Sequence, residues 1–394
     1  MFNTKIKKMK ILNSITRSFL FLLCLLCATN CKKDEKIFAN GIIGDFTWIL
    51  NSKGTLTISG KGAMPHYNTI ENPNPSWPKE LISTVVIKNG ITSIGNYTFS
   101  GCSNLKSVII PNSVIFIGMS AFSGCKSLTI ITIPNSVISI GFSAFYYCTG
   151  LTSVTIPNSM TYIESYSFNG CSGLTSVIIP NSVTYIGESA FSGCSGLTSL
   201  TIPSSVTYIG RVAFSRCSGL TSVTIPNLVT YIGEYAFYQC AGLKSIDVDN
   251  SNTAYSSENG VLFDKAKTTL IRYPEGKAGT YAIPNSVISI GFGSFYDCSG
   301  LTSITIPSSV TSIENSSFAG CSGLKFVIIP NLVTNIGSNS FYGCSGLIEI
   351  INESTTPQTI EVNVFYGVGY IYLYTSCSSG FVRCLPCRPC VARF

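Results

Sequence analysis

The chain has 394 residues, of which 45% are hydrophobic and only 11% are charged, so it can bury a large core. Its formal net charge is +7, but five basic residues lie within the first thirty positions, which contain no acidic residue. The other 20 basic and 18 acidic residues nearly balance. This balance excludes a general nucleic-acid binder and a highly charged disordered chain.

Residues 1–30 have the pattern of a signal peptide, with lysines before the apolar run 19–28. That run is too short to span a bilayer, because a spanning helix needs about twenty residues. The segment ATNC at 28–31 resembles a bacterial lipobox, which implies a lipid on Cys31. A plain secretory signal is the alternative. The tag KKDE that opens the tether 31–39 resembles those of outer-face lipoproteins, so we expect an exported protein anchored by lipid at the outer membrane and cell surface.

Residues 40–83 are predicted to form an N-terminal capping region. The stretches 46–50 and 55–59 alternate apolar and polar residues around an Asn-Ser-Lys-Gly turn, which indicates a β-hairpin that covers the first repeat. His66 follows in a turn-rich stretch and is the only histidine in the chain, so we expect it to be exposed in a loop. The sequence therefore supplies little for an acid–base or nucleophilic site, and we predict a protein that is not an enzyme.

A 23-residue period organises residues 84–368. Prolines follow this period at Pro111, Pro134, Pro157, Pro180, Pro203 and Pro226, and again at Pro284, Pro307 and Pro330. Phenylalanines keep the same spacing at Phe99, Phe122, Phe145, Phe168, Phe191, Phe214 and Phe237, and then at Phe295, Phe318 and Phe341. A fixed period of this length is typical of a stacked repeat protein.

The unit 133–156 shows how one repeat would fold. The Leu-x-x-Val-x-Ile spacing of 151–156 predicts a short strand, 137–140 predicts a second extended stretch, and Ala-Phe-x-x-Cys at 144–148 predicts a tight helical turn. A single coil cannot bury its apolar side chains, but stacked coils can. We assign the interior to Ile133, Val137, Ile140, Ala144, Phe145, Cys148, Leu151, Val154 and Ile156. The pattern predicts a β-rich solenoid of about eleven coils.

The unit IPNSVTYIGESAFSGCSGLTSL at 179–200 resembles the BspA-like leucine-rich repeats of bacterial surface proteins. The resemblance covers about residues 40–368. It implies a right-handed coil stack with an N-terminal hairpin cap. It also implies a surface protein that mediates adhesion by binding host, matrix or other cell proteins.

One repeat, at 249–283, is longer than the others, since the period between Val248 and Ile283 grows to 35 residues. Its segment 260–274 is predicted to form a hairpin that turns at 264–267. Two interpretations remain open. The hairpin is either part of a longer repeat variant or a protruding binding element.

The cysteines have two patterns. Ten occupy one repeat position, and their parallel directions favour buried thiols over disulfides, although pairing of neighbours is an alternative. These are Cys102, Cys125, Cys148, Cys171, Cys194, Cys217, Cys240, Cys298, Cys321 and Cys344. The atypical tail 369–394 contains Cys377 and the spacing Cys384-x-x-Cys387-x-x-Cys390. A metal site there is an alternative, but we predict neither a metal site nor a cofactor, because prolines interrupt the spacing.

Two candidate binding surfaces follow from the repeat positions that face outward. The first is the face of the Leu-x-x-Val-x-Ile strands, formed by Ile109, Thr132, Thr155, Ile178, Thr201, Thr224, Asp247, Thr305 and Ile328. The second is an aromatic stripe formed by Tyr162, Tyr185, Tyr208 and Tyr231. We expect an extracellular or host protein as the partner, with membrane contact through the lipid alone and no nucleic acid. The alternatives are a glycan partner and a structural stalk without a specific ligand. The aromatic stripe could equally serve packing.

Overall fold

The computed structural model describes the backbone of residues 36–68, 75–355, 358–369, 371–377 and 380–387, with side chains up to residue 369. Within these ranges the chain is a β-solenoid of about twelve turns with a spacing near 23 residues, which confirms the predicted fold. The predicted signal peptide, Cys31 and the tag 32–35 lie outside the described residues. Across the ranges that are described, no helix is long and apolar enough to cross a membrane.

The first sheet is built from the Leu-x-x-Val-x-Ile segments, whose strands pair in parallel from coil to coil. It begins with Ile37–Ile43, Phe46–Asn51, Thr55–Ser59, Thr84–Ile87, Ser107–Ile109, Ile130–Ile131, Ser153–Thr155 and Ser176–Ile178. It continues as Ser222–Ile225 with Ser245–Val248, Gly279–Ala282 with Leu301–Thr305, and Phe326–Ile329 with Glu349–Asn352, Ile371–Cys377 and Gly380–Cys387. These strands carry the first candidate surface.

The second sheet is built from the extended stretch before the repeat glycine, and its strands are mostly two residues long because the turn follows at once. Its first segments are Gly62–Ala63, Ile91–Ile94, Phe116–Ile117 and Ser139–Ile140, then Tyr162–Ile163, Tyr185–Ile186, Tyr208–Ile209 and Tyr231–Ile232. Its last segment is Tyr255–Glu258, Val261–Asp264, Thr269–Arg272, Ser289–Ile290, Ser312–Ile313, Asn335–Ile336 and Thr359–Ile360. This sheet carries the tyrosine stripe.

Antiparallel hairpins flank the first sheet at both ends. The predicted hairpin forms between Phe46–Asn51 and Thr55–Ser59, and its second strand pairs in parallel with Thr84–Ile87 of the first coil. An additional strand, Ile37–Ile43, lies antiparallel on its outer side. At the other end Ile371–Cys377 pairs in parallel with the last repeat strand, and Gly380–Cys387 folds back on it. Side chains of this tail hairpin, including those of the Cys-x-x-Cys run, lie outside the described part.

The third side of each coil, which we call the corner, is a turn rather than the helical turn predicted from the sequence. In the described ranges the one helical segment is the 3₁₀ turn Lys79–Leu81. Each corner instead contains left-handed residues, such as Ser143 at φ 55° and Tyr147 at φ 54°. Backbone amides of one corner donate to carbonyls of the next, as from Phe122 to Ala144. The corner therefore hydrogen-bonds between coils as well as within one, as from Cys125 to Phe122.

The interior matches the predicted one. All nine positions assigned to the unit 133–156 are at most 7% exposed. Phenylalanine rings from Phe99 to Phe237 form a continuous stack with centroid distances of 5.3–5.7 Å. Each ring therefore fills the space between its two neighbours and joins consecutive coils.

The long repeat divides this interior. Its strands Val261–Asp264 and Thr269–Arg272 form the predicted hairpin, but Phe263 and Leu270 are fully buried, so the hairpin belongs to the sheet and does not protrude. Leu262 packs in the apolar cluster of the preceding coils, whereas Phe263 packs in that of the following coils. We call this boundary between the two clusters the seam.

Candidate binding surfaces

The first candidate surface is largely exposed, as expected for the outward face of a sheet. Eight of its nine predicted residues are exposed, and Ile328 is half-buried. Ile109 and Ile178 are 58% and 62% exposed. The prediction missed Ile130, which is also 58% exposed and pairs with Ser107 in the neighbouring strand. Its signal was an isoleucine where most repeats have serine.

The second candidate surface contains a stack of three rings, Tyr185, Tyr208 and Tyr231. Strand register aligns Tyr162, Tyr185, Tyr208 and Tyr231 in four successive coils. The centroids of Tyr185 and Tyr208 are 4.6 Å apart, and so are those of Tyr208 and Tyr231, with nearly parallel planes. Removal from water by these neighbours raises the pKa of Tyr208, and the charges of the adjacent tyrosines act in the same direction. We call these four residues the tyrosine stripe.

Apolar residues extend the tyrosine stripe toward the N-terminus. Ile115 and Ile138 are 49% and 56% exposed and immediately precede the strands Phe116–Ile117 and Ser139–Ile140 of the second sheet. They occupy the position that Thr161 fills in the next coil, immediately before the stripe position. The hydroxyls of Ser139 and Tyr162 lie 2.9 Å apart and join the two parts. The result is an exposed band of aliphatic and aromatic side chains over six coils, which we call the apolar band.

The charged residues beside the corner are solvated. Arg211 lies 3.7 Å from Glu188 and 3.9 Å from Glu234, and each of these side chains is at least 41% exposed. Exposed ion pairs of this kind contribute little to stability, about 0–1 kcal/mol. They form a polar rim next to the rings, where the charge of Glu188 also acts on Tyr208.

The repeats match the sequence model of a known protein family. The model described as a BspA type leucine rich repeat region matches residues 76–195, 138–259 and 272–379, which together span most of the chain. The chain belongs to the BspA-type leucine-rich repeat family. A comparison with curated proteins gave no match.

Two solved structures resemble this BspA-type chain over most of its length. A leucine rich cell surface protein from Faecalibacterium prausnitzii A2-165 is 28% identical with a TM-score of 0.57, covering 86% of this chain and 95% of its own. The pneumococcal vaccine antigen PcpA is 19% identical with a TM-score of 0.53, covering 88% of this chain and 90% of its own. The likeness to PcpA shows the fold alone.

The repeat cysteines of this BspA-type chain are buried free thiols. Nine of the ten donate a hydrogen bond to a backbone carbonyl of the preceding coil, as Cys194 does to Phe168 at 3.3 Å. Burial raises the pKa of Cys148 to about 12. Among the side chains described, no group of three His, Cys, Asp or Glu could hold a metal ion.

The single histidine also has a structural environment. His66 is exposed, as predicted, and its Nδ1 accepts a hydrogen bond of 2.9 Å from the backbone amide of Asn96. This bond connects the N-terminal cap to the first corner.

Proposed function

We propose that this protein is displayed on the cell surface by a lipid on Cys31 and that it mediates adhesion by binding other proteins through the apolar band. The family and the cell-surface relative support surface display, and the signal pattern 1–31 supports lipid anchoring. The single observation that carries the binding proposal is the exposed stack of tyrosines, continuous with the two isoleucines. Apolar and aromatic patches of this kind are typical of interaction surfaces.

The geometry of the stripe favours a protein partner over a glycan. Rings whose centroids are 4.6 Å apart cover each other's faces, so Tyr208 has no free face on which a sugar ring could stack. The outer ring edges and hydroxyls remain available, with Tyr185 and Tyr231 at 38% and 45% exposure. Rigid tyrosines with one apolar and one polar end are suited to a protein interface. Truncating a well-packed interface aromatic costs about 2 kcal/mol or more.

Binding can be tested with the purified full-length chain and a panel of immobilised extracellular-matrix proteins. The double variant Tyr185→Ala/Tyr208→Ala should weaken the binding of a recognised partner by tenfold or more. The matched control is Tyr342→Ala/Tyr366→Ala, since these rings are also stacked, 5.3 Å apart, and exposed, but lie on the corner. Equal losses in both variants, or no loss in the first, would contradict the assignment of the apolar band. Absence of any protein partner would favour a structural stalk.

Lipid anchoring requires a separate test. Cells that express the chain are fed a clickable fatty acid, and the label should be lost in Cys31→Ala. Protease accessibility on intact cells should show the repeat region outside. If labelling is retained without Cys31, or if the processed protein is released unlabelled, a plain secretory signal replaces the lipoprotein assignment.

A further inference from the structure

The seam contains a cavity of about 210 Å³ that the repeats elsewhere fill with a corner. The long repeat has no Ala-Phe-x-x-Cys corner of its own, so the corners of the preceding and following coils meet across it. The cavity is lined by Glu234, Tyr235, Tyr238, Thr269, Arg272 and Phe292, together with aliphatic residues. Residues far apart in sequence therefore form one concave site.

The aromatic wall of this cavity is built from edge-to-face ring pairs, and Tyr235 also packs against Tyr238 with centroids 5.0 Å apart. Tyr235 and Phe292 meet at an interplanar angle of 62° with centroids 5.0 Å apart, and Tyr238 meets Tyr296 in the same manner at 4.7 Å. In an edge-to-face pair, one ring covers a single face of the other. Phe292 is 41% exposed, unlike the fully buried phenylalanines of the repeat stack. The wall thus has accessible ring surface at Phe292, which Tyr208 in the middle of the tyrosine stripe lacks.

The charge at the base of the cavity is already neutralised. Arg272 and Glu275 are each 8% exposed and form an ion pair with each other. Arg272 also donates to the carbonyl of Gly293, while its Nε is buried and has no hydrogen-bond partner. Glu275 accepts from the backbone amide of Gln239 at 2.7 Å. Because this pair has no net charge and the carboxylate of Glu234 also lines the cavity, the site does not favour an anion.

A chain of polar side chains adjoins the cavity at a strained backbone position. Arg216, Gln239 and Asp297 have φ values of 60°, 53° and 56°, where most other corners have glycine. Nε of Arg216 donates to Gln239 at 2.8 Å, and the Gln239 amide lies 3.4 Å from Asp297. Left-handed non-glycine residues cost about 1–2 kcal/mol each. These three side chains are hydrogen-bonded to one another across the seam.

We propose that the seam cavity binds a neutral pyranose unit of a glycan. The apolar face of the sugar ring would lie against Phe292 and Tyr235, with its hydroxyls toward the side chains of Glu234 and Thr269, which line the cavity. A purely apolar occupant would cover Glu234 and Arg272 without offering hydrogen bonds, which is unfavourable for buried polar groups. The site differs from the apolar band in position and in ligand class, so either proposal can fail without the other.

The test is a screen of the purified full-length chain against methyl pyranosides of neutral hexoses, N-acetylhexosamines and uronic acids by saturation-transfer NMR. Calorimetry then measures affinity for the best ligand. Phe292→Ala should lower that affinity tenfold or more. Phe142→Ala is the matched control, because Phe142 occupies the same repeat position, is 44% exposed, and packs on Tyr166 at 5.1 Å. This control should bind as the natural chain does.

Several outcomes would overturn the proposal. These are the absence of any neutral pyranoside among the ligands, a preference for uronic acids, or equal losses in Phe292→Ala and Phe142→Ala. A parallel titration with indole and isobutanol addresses an apolar side chain from a protein partner. If these bind in a Phe292-dependent manner and sugars do not, the cavity is a protein anchor pocket instead. Thr269→Val, which keeps the shape of a side chain that lines the cavity and removes its hydroxyl, should weaken sugar binding without unfolding the chain.

Discussion

Val212 occupies a corner position whose backbone is left-handed in every described repeat that has a corner. Its φ is 49°, and the equivalent residues are Ser, Asn, Tyr or Gly, such as Ser189 at φ 53° and Asn339 at φ 57°. A β-branched side chain is poorly compatible with this region, whereas asparagine tolerates it. Val212→Asn should therefore stabilise the fold. The backbone bonds from Val212 to Glu234 and from Ser215 to Val212 would remain.

The magnitude follows from two opposing effects. Releasing left-handed strain is worth about 1–2 kcal/mol, while losing the half-buried valine costs roughly 1 kcal/mol or less. The expected net gain is on the order of 0.5–1 kcal/mol, measured as a higher urea midpoint by circular dichroism. The reverse change, Asn339→Val, should lower the free energy of unfolding by about 1–2 kcal/mol and so lower the urea midpoint. A lower midpoint for Val212→Asn together with a neutral Asn339→Val would refute the strain argument.

Three further outcomes can be measured. Phe191→Ala should lower the free energy of unfolding by about 3–5 kcal/mol, and Phe237→Ala should lower it by about 1 kcal/mol less. The reason is that Phe191 stacks on two rings, whereas Phe237 stacks on one in the described structure. Equal urea midpoints for the two variants would contradict this. Cys148 should resist iodoacetamide at pH 8.5 until the chain unfolds, as mass spectrometry can show. Its folded pKa of about 12 exceeds the unfolded value of 9.0, so stability should decline as pH rises from about 9 toward 12, and a flat profile would argue against buried thiols. Glu275→Gln should lower the free energy of unfolding by about 3 kcal/mol, because it leaves the buried charge of Arg272 without a partner. The double variant Arg272→Met/Glu275→Leu should recover most of that stability, as measured in thermal melts.

The interior was predictable because its signal is local and repeated. Positions such as Phe145 and Cys148 recur at one spacing, and burial is the common requirement of every coil. The outward rows were predictable for the same reason, since strand alternation fixes which residues face solvent. The exposed Ile130 was not predicted as a binding residue, because its row of the sheet was interpreted as a row of serines.

The corner and the seam were harder to predict. The left-handed position holds Ser, Tyr, Val or Asn, and serine, tyrosine and valine give no clear sequence signal for such a conformation. The cavity arises because a corner is missing from the long repeat, which brings Tyr235 against Phe292. That contact depends on three-dimensional stacking between residues distant in sequence, and no spacing rule for a single repeat contains it.

The hairpins at the two ends of the first sheet have a consequence for assembly. A stack of parallel coils has an unpaired strand edge at each end, and these two edges are complementary, which promotes head-to-tail association into fibres. Here Ile37–Ile43 and Gly380–Cys387 run antiparallel to their neighbours, so an incoming copy would not meet a strand in the direction that the repeat needs. The two terminal hairpins therefore disfavour extension of the first sheet by a second copy of the chain.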